Sequence, residues 1–504
     1  MFQALPFFFV DAKTRRRLGL CATFAVISGF GDRMRRHAWL LAAIAAAVWA
    51  GGPLGAAAPL APWQPEDVFQ RSLFYEKDVR ERLEAAAPTE QKVLVEWGGF
   101  YIPSYTFFTD AGGKHGHVTL QDLRLWTQVR VDEVHRAFAR MRLDYIDFAG
   151  GDSGGLRPHD LEGPNLEIGY YELNASRAAE KYFGQKWPFN LYIRGGRQYT
   201  EVGRGIALGK VLDVGSFDFE MKDWAVMGFA GQSPRGQDDV ERIGPRFSTY
   251  RRAFYGGQVK YRGIHGHEPY AFFVIQKQLT DADLPAQGFQ YDSSYYGVGS
   301  RGGITRDLHY AVEGLWEVGR GTANTQVSGH ERIRACAFDS QLDYYVPQPM
   351  KPVLTFQYAY ASGDGDRQTA VSAMTGNALG SPDTQFQGFG YVNSGLALGA
   401  RFANLQFVRL AGRVTPYDKK SAAGRIDVGL DYYFLFKADH EGPISDFRAN
   451  RRSAAVGNEV DIFMEWRILS DLSWTIRYGR FFPGPAFTDR GPRDFLFTGL
   501  NFSF

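Results

Sequence analysis

The chain has 504 residues, 57 basic against 55 acidic side chains and a net charge of +2, a balance that leaves no basic patch for nucleic acid. Cys21 and Cys336 are its only cysteines, which excludes both a disulfide framework and a zinc cluster. Hydrophobic residues make up 44% and mean hydropathy is −0.29, a soluble-looking average that a membrane barrel also gives, because only alternate strand residues face lipid.

The N-terminus reads as an export signal. Arg15-Arg16-Arg17 precedes an apolar run from Leu18 to Phe30, and Arg35-Arg36-His37 precedes a second from Ala38 to Ala50. The second run is too short for a comfortable membrane span, and Gly55-Ala56-Ala57-Ala58 after it supplies small residues for cleavage. Residues 1–58 are therefore assigned to a signal-peptide region whose true start is Met34. Pro65 to Thr89 carries Phe69, Leu73, Tyr75, Val79 and Leu83 at helical spacing among charges, so 59–90 is expected to be a periplasmic or plugging helical segment.

From residue 91 to 504 alternating strands are punctuated by Gly, Pro and Asp, and the connections alternate between short and long. Short ones are expected at Glu133–His135, Arg262–Glu268, Thr305–Asp307, Pro347–Pro349, Pro416–Gly424 and Leu469–Asp471. Long ones are expected at Ala149–Pro164, Gly231–Arg251, Leu279–Ser294, Gly319–His330, Ser362–Ser394, Ala438–Ala455 and Pro483–Asp494. Asn174 to Pro188 is long where a short turn is due. This pattern specifies an all-β fold: a transmembrane antiparallel up-and-down β-barrel of about 18 strands, or about 16 if the weak strands between Val211 and Ala230 are miscounted. In the last strand Leu496, Thr498, Leu500, Phe502 and Phe504 share one face and Phe497, Gly499, Asn501 and Ser503 the other. Such a strand suits a barrel seam between lipid and water, with the protein in the outer membrane and both termini periplasmic. Aromatic content of 15% and 58 glycines fit interfacial girdles and tight turns.

Parity separates the two faces. Leu123, Leu125, Val129 and Val131 point to lipid, leaving Asp122, Arg124, Gln128, Arg130 and Asp132 inside; Met141, Leu143 and Tyr145 leave Arg136, Arg140, Arg142 and Asp144 inside. Val460, Ile462, Met464 and Trp466 leave Glu459, Asp461, Glu465 and Arg467 inside, and Arg194, Arg425, Asp427, Asp431, Lys437 and Arg477 are also read as inward. Charge is tolerable in a membrane barrel only where water or an opposite charge meets it, so these residues should form Arg–carboxylate ladders along a polar path, or else pin the barrel's shape.

Other constellations are weaker. His265-Gly266-His267-Glu268 falls in a turn and lacks a partner cluster for a metal. Asp364-Gly365-Asp366 matches calcium ligands and ordinary turn chemistry alike. Gly151-Asp152-Ser153-Gly154-Gly155, with His159 and Asp160 nearby, fits a hydrolase nucleophile pattern, but in a loop rather than a strand-to-helix elbow. The expectation is no enzyme, no metal and no cofactor. An outer-membrane hydrolase with a loop-borne site, or a structural or adhesive barrel plugged by the Ser362–Ser394 loop, are the alternatives.

Gly196-Arg197-Gln198, Gly203-Arg204-Gly205, Ala361-Ser362-Gly363-Asp364, Gly457-Asn458-Glu459-Val460-Asp461 and Phe481-Phe482-Pro483-Gly484 together resemble the alginate-export family of outer-membrane porins. The resemblance spans about residue 90 to 504. It implies an 18-stranded monomeric barrel with a constricted, arginine-rich lumen, and Arg124, Arg130, Arg140, Arg142, Arg194 and Arg477 as a polyanion-handling group. The sequence departs from relatives at Trp224-Ala225-Val226-Met227, and its lumen is less one-sidedly basic than a polyuronate path suggests. The expected function is a porin passing a polar, anionic, saccharide-like solute. Expected partners are an anionic poly- or oligosaccharide, the lipid bilayer and periplasmic export-machinery proteins, with no nucleic acid.

Overall fold

A computed structural model describes residues 93–109, 113–148, 159–234, 251–279, 291–324, 327–367, 377–418 and 424–504. Residues 1–58, expected to be a signal-peptide region, residues 59–90, expected to be helical, and the Gly151–Gly155 motif lie outside them.

Within these residues the strands run β1 Val93–Thr109, β2 His115–Val131, β3 His135–Phe148, β4 His159–Asn174, β5 Asn190–Glu201 and β6 Gly209–Met221. They continue through β7 Trp224–Gln232, β8 Arg251–Tyr261, β9 His267–Leu279, β10 Tyr291–Gly303, β11 Leu308–Asn324 and β12 Val327–Tyr345. The last six are β13 Val353–Ala361, β14 Leu405–Asp418, β15 Arg425–Phe436, β16 Ala455–Arg467, β17 Leu472–Pro483 and β18 Arg493–Ser503. Each pairs antiparallel with its neighbours, and β1 pairs with β18 from Phe100↔Ser503 to Phe108↔Phe495, which closes an 18-stranded barrel. Closure satisfies every strand edge, as an apolar solvent demands. The seam is reinforced at its base, where Gly99 and Phe504 exchange both backbone hydrogen bonds at 2.8 and 2.9 Å.

Alternation is visible in exposure. Leu125, Met141, Trp316, Leu342, Leu430, Ile462 and Phe502 are exposed on the outer face, while Asp122, Arg124, Arg140, Glu313, Glu317, Asp431 and Glu459 are buried on the inner one. Short turns gather at one end and long loops at the other. The strands between Val211 and Ala230 are both present, so the 16-strand count is excluded.

Three expected connections differ. Gly319–His330 is mostly strand: β11 and β12 stay paired through Arg320↔Arg332 to Asn324↔Val327. Backbone pairing continues past the apolar belt, where the polar sequence looks like loop. The Ser362–Ser394 loop is longer, reaching Asn404, because β14 begins only at Leu405. The irregular Asn174–Pro188 connection contains the helix α1, Ala175–Phe183, capped by the Asn174 side chain on the Arg177 N–H and closed by Gly184 in the left-handed region. Lys186 and Arg177 donate to Glu180 and hold its carboxyl below the ordinary range. Asn174→Ala should cost this helix about 1 kcal/mol, seen as faster protease cleavage between β4 and β5 with unchanged barrel mobility in gels.

Candidate functional site

The inner wall divides into two arcs. Along β1 to β5 the inward polar residues form a continuous ladder. Arg124 donates to Asp122 at 2.8 Å and to Glu167 at 2.8 Å, and Arg140 reaches the other Glu167 oxygen at 2.7 Å. Arg142 bridges Asp144 at 2.9 Å and Asp122 at 3.3 Å. Towards the short-turn end, Arg136 donates to Gln128 at 2.6 Å and lies 3.9 Å from Glu172, which also takes Arg194 at 2.5 Å. Arg130 stands 3.7 Å from Glu96.

Strand register explains this need for acids. Arg124 lies directly opposite Arg142, and Arg130 opposite Arg136, arrangements that repel unless a counter-charge intervenes. The same guanidinium groups stack on aromatic faces: Arg124 over Phe100, Arg136 over Phe138 and Tyr170, Arg194 over Tyr170 at 4.9 Å. Arg124 and Arg194 are thus fixed by a two-nitrogen contact to an acid on one side and a ring on another, while Arg136 is held by the Gln128 amide and two rings.

Along β6 to β17 the wall is covered. Two connections from the long-loop end fold into the barrel and pack against it through Val202, Ile206, Leu208, Phe386, Phe389 and Phe402. Residues 202–208 carry Arg204, whose Nε reaches Asp339 on β12 at 2.7 Å and whose Nη2 donates to Gln341 at 3.0 Å. Its backbone N–H donates to Glu313 at 2.7 Å, an acid also held by the Tyr270 hydroxyl. Arg204 therefore ties the connection after β5 to β11 and β12, across the inner face of the strands between. The described residues 377–404 of the connection between β13 and β14 fold inward as the larger loop. Glu459 accepts the N–H groups of Ala397 and Leu398 at 2.6 and 3.0 Å, and Asp461 that of Leu396 at 3.2 Å. Glu317 accepts the N–H of Gln387 at 2.9 Å, while the Gln387 carbonyl accepts the Tyr295 hydroxyl. The two loops meet where the N–H groups of Phe389 and Gly390 donate to Ala207 and Ile206 carbonyls at 3.0 and 3.2 Å.

Past the Arg204 clamp, towards the short turns, Gln341, Asp343, Thr355, Arg409 and Arg413 line a cavity of about 30 Å³, room for little more than ordered water. Arg409 pairs with Asp431 at 3.2 Å.

The residues singled out in the sequence thus fall into several settings. Arg124, Arg140, Arg142 and Asp144 are joined in one network, with Arg130, Arg136 and Arg194 beside it. Glu459 and Asp461 grip the inward loop instead of standing open along a path. Arg425 and Asp427 pair at 2.8 Å near the short turns. Glu465 is buried, Arg467 is exposed at the end of β16, and Arg477 is half-buried opposite Phe463 and Phe497.

Glu167, Glu172, Glu313, Glu317, Asp339 and Arg204 were not singled out in the sequence as site residues; Glu172, Glu313, Glu317 and Asp339 lie in step with the inward residues of their strands, whereas Glu167 and Arg204 escape a parity reading. Glu167 and Ile168 are adjacent yet both buried, because the β3–β4 register shifts beside them; Gly163-Pro164 was the available signal. Arg204 sits between two glycines at φ 59 and 76, a conformation only glycine adopts readily.

The remaining motifs are engaged locally. His267 shares a hydrogen bond with Tyr310, and Glu268 pairs with Arg301 and Arg262. Asp364 accepts the N–H groups of Asp366 and Thr384, both at 2.8 Å, and so shapes the start of the large loop.

A closed antiparallel barrel with an apolar outer belt, a charged inner wall and loops folded inward is the architecture of an outer-membrane porin. Solved porins share it. OccK8 (OprE) of Pseudomonas aeruginosa superposes with a TM-score of 0.52 at 11% identity, over 81% of this chain and 98% of that one. OccK5 (OpdH) of the same organism gives 0.51 at 9%, over 83% and 100%, and OccAB1 of Acinetobacter baumannii 0.50 at 10%, over 81% and 96%. No curated protein matches the sequence. The alginate export family model matches residues 104–500, and the chain belongs to that family. It is a porin that passes a solute, a transporter by family and fold.

Proposed function

We propose that the solute is a polar, anionic, saccharide-like molecule and that it moves along the β1–β5 arc. The observation that carries this reading is the arginine ladder on that arc. Its guanidinium groups are already oriented by acids and rings, so a passing carboxylate or sulfate replaces water without reordering the wall. Neighbouring carboxylates temper each contact, which keeps binding weak and distributed, as conduction requires. In this reading the partly exposed Arg130, Arg142 and Arg194 meet the anion, the buried Arg124, Arg136 and Arg140 add positive field from behind them, Asp144 sets the pose of Arg142, and Arg425, Asp427, Glu465, Arg467 and Arg477 line the mouth near the short turns. The long loops face outside the cell and both termini lie in the periplasm, following the usual polarity of such barrels. The chain acts as a monomer.

The test is the reversal potential of the mature chain in a planar bilayer under a salt gradient, with and without uronate oligosaccharides. Anion preference and block by these sugars are expected; a folded but silent barrel would overturn the reading in favour of a plug, which the two inward loops already favour as the second possibility. Arg140→Ser with Arg142→Ser leaves Asp122, Asp144 and Glu167 facing Arg124 alone. The double variant should shift selectivity towards cations, most clearly at low salt where screening is weak. Unchanged selectivity would remove these residues from the path.

A further inference from the structure

The inner face treats its like-charge pairs consistently. Arg124 opposite Arg142 is bridged by Asp122, and Arg130 opposite Arg136 is flanked by Glu96 and Glu172. Arg425 opposite Arg467 is met by Asp427. The outer face holds a fourth such pair, Arg320 on β11 directly opposite Arg332 on β12, with Arg334 one step further along the same face. All three side chains are exposed, and no carboxylate among the described residues pairs with them. Asp292, the residue opposite Arg320 on β10, is engaged by Lys277 at 3.3 Å and by the Gln278 N–H.

Their height on the barrel matters. Arg334 lies opposite Val318, and directly below come Trp316 opposite Cys336, then Phe338, Leu342 and Tyr344, all outward. Trp316 is 53% and Leu342 40% exposed, as lipid-facing residues are. From Cys336 to Tyr344 a tilted strand covers roughly 20–25 Å, the height of an apolar belt. The arginines therefore stand at its upper rim, on the long-loop side, where a lipid headgroup begins. Guanidinium groups placed against each other without an internal acid repel, and they match phosphate oxygens in bidentate geometry.

We propose that Arg320, Arg332 and Arg334 form a binding site for the sugar-linked phosphates of a glycolipid in the outer leaflet. The membrane supplies the counter-charge that the described residues do not. Trp316, Val318 and Phe338 seat the acyl region below, and Lys277 on β9 and Arg251 on β8, two and three strands along from β11, extend the basic rim. The leaflet assignment rests on the orientation proposed above; the phosphate chemistry does not.

The experiment is native mass spectrometry of the full barrel in detergent, titrated with bisphosphorylated lipid A and with its dephosphorylated form. A defined adduct with the phosphorylated lipid is expected, weakened about tenfold or more in an Arg320→Ser, Arg332→Ser, Arg334→Ser variant, the loss due to even one charge-assisted hydrogen bond. Equal binding of the dephosphorylated lipid by the natural chain would overturn the proposal without need of any variant. Equal binding of the phosphorylated lipid by a triple variant with normal heat-modifiable migration would overturn it as well. Orientation is read separately, from an epitope inserted after Arg490 between β17 and β18. Detection on intact cells supports the outer-leaflet assignment, and detection only after permeabilisation overturns that assignment while leaving the micelle result to stand by itself.

Discussion

Replacing residues 363–403 with an Asn-Gly dipeptide should raise single-channel conductance several-fold and leave a folded barrel. Ala361 on β13 is paired directly with Leu405 on β14, so the two strands already sit at hairpin distance and a two-residue turn closes them without moving the sheet. What leaves is the mass that covers the β6–β17 arc, including Phe386, Phe389 and Phe402, together with the backbone held by Glu317, Glu459 and Asp461. Those three acids then face water, where charge is tolerated. Apolar wall residues such as Phe254, Tyr295, Phe407 and Tyr433 become exposed to the lumen, so thermal stability should fall even as the pore widens. Bilayer recordings decide the matter. A folded variant with the natural chain's conductance would mean that the loop does not restrict the path.

The second large effect is expected at the crossing of the two inward loops. A Cβ on Gly390 would stand 1.4 Å from the Gly205 carbonyl oxygen, backbone that cannot yield without moving the 202–208 connection. Gly390→Val should therefore separate the loops, break the Phe389–Ala207 and Gly390–Ile206 hydrogen bonds, and loosen Arg204 from Asp339. Recordings should show a higher mean conductance with frequent transitions between levels, in contrast to the steady level of the natural chain. Gly195→Ala is the matched control, since a Cβ there meets nothing within 4 Å. Steady current from Gly390→Val would show that the crossing does not set the pore.

Much of the barrel was legible because two solvents impose a two-residue period. Leu125 and Arg124 cannot exchange places without exposing charge to lipid, and the sequence carries that constraint openly. The inward course of 377–404 was not legible by period, since loops have none, although Phe386, Phe389, Leu398 and Phe402 make it too apolar for a solvated excursion. The hairpin extension past Arg320 was hidden for the opposite reason: beyond the belt, polarity no longer distinguishes strand from loop. In the site, same-strand parity placed Arg124, Arg140 and Arg142 on one face. It gave no account of their acids on β4, because a register shift there turns Glu167 inward out of step.

The seam between β1 and β18 has a kinetic consequence. Its contacts are the most distant in sequence that the sheet contains; the Asp494 N–H and the Thr109 hydroxyl oxygen that accepts it are 385 positions apart. Every other strand pairs with an immediate neighbour and can zip from a hairpin, whereas this join needs both ends of a 17-hairpin ribbon to find one another. Closure of so long a loop carries the largest entropy cost in the fold and should be the slow step of assembly. Until it occurs two strand edges stand unpaired in lipid, so the join that Gly99 and Phe504 help to make is the step expected to commit the barrel to its fold.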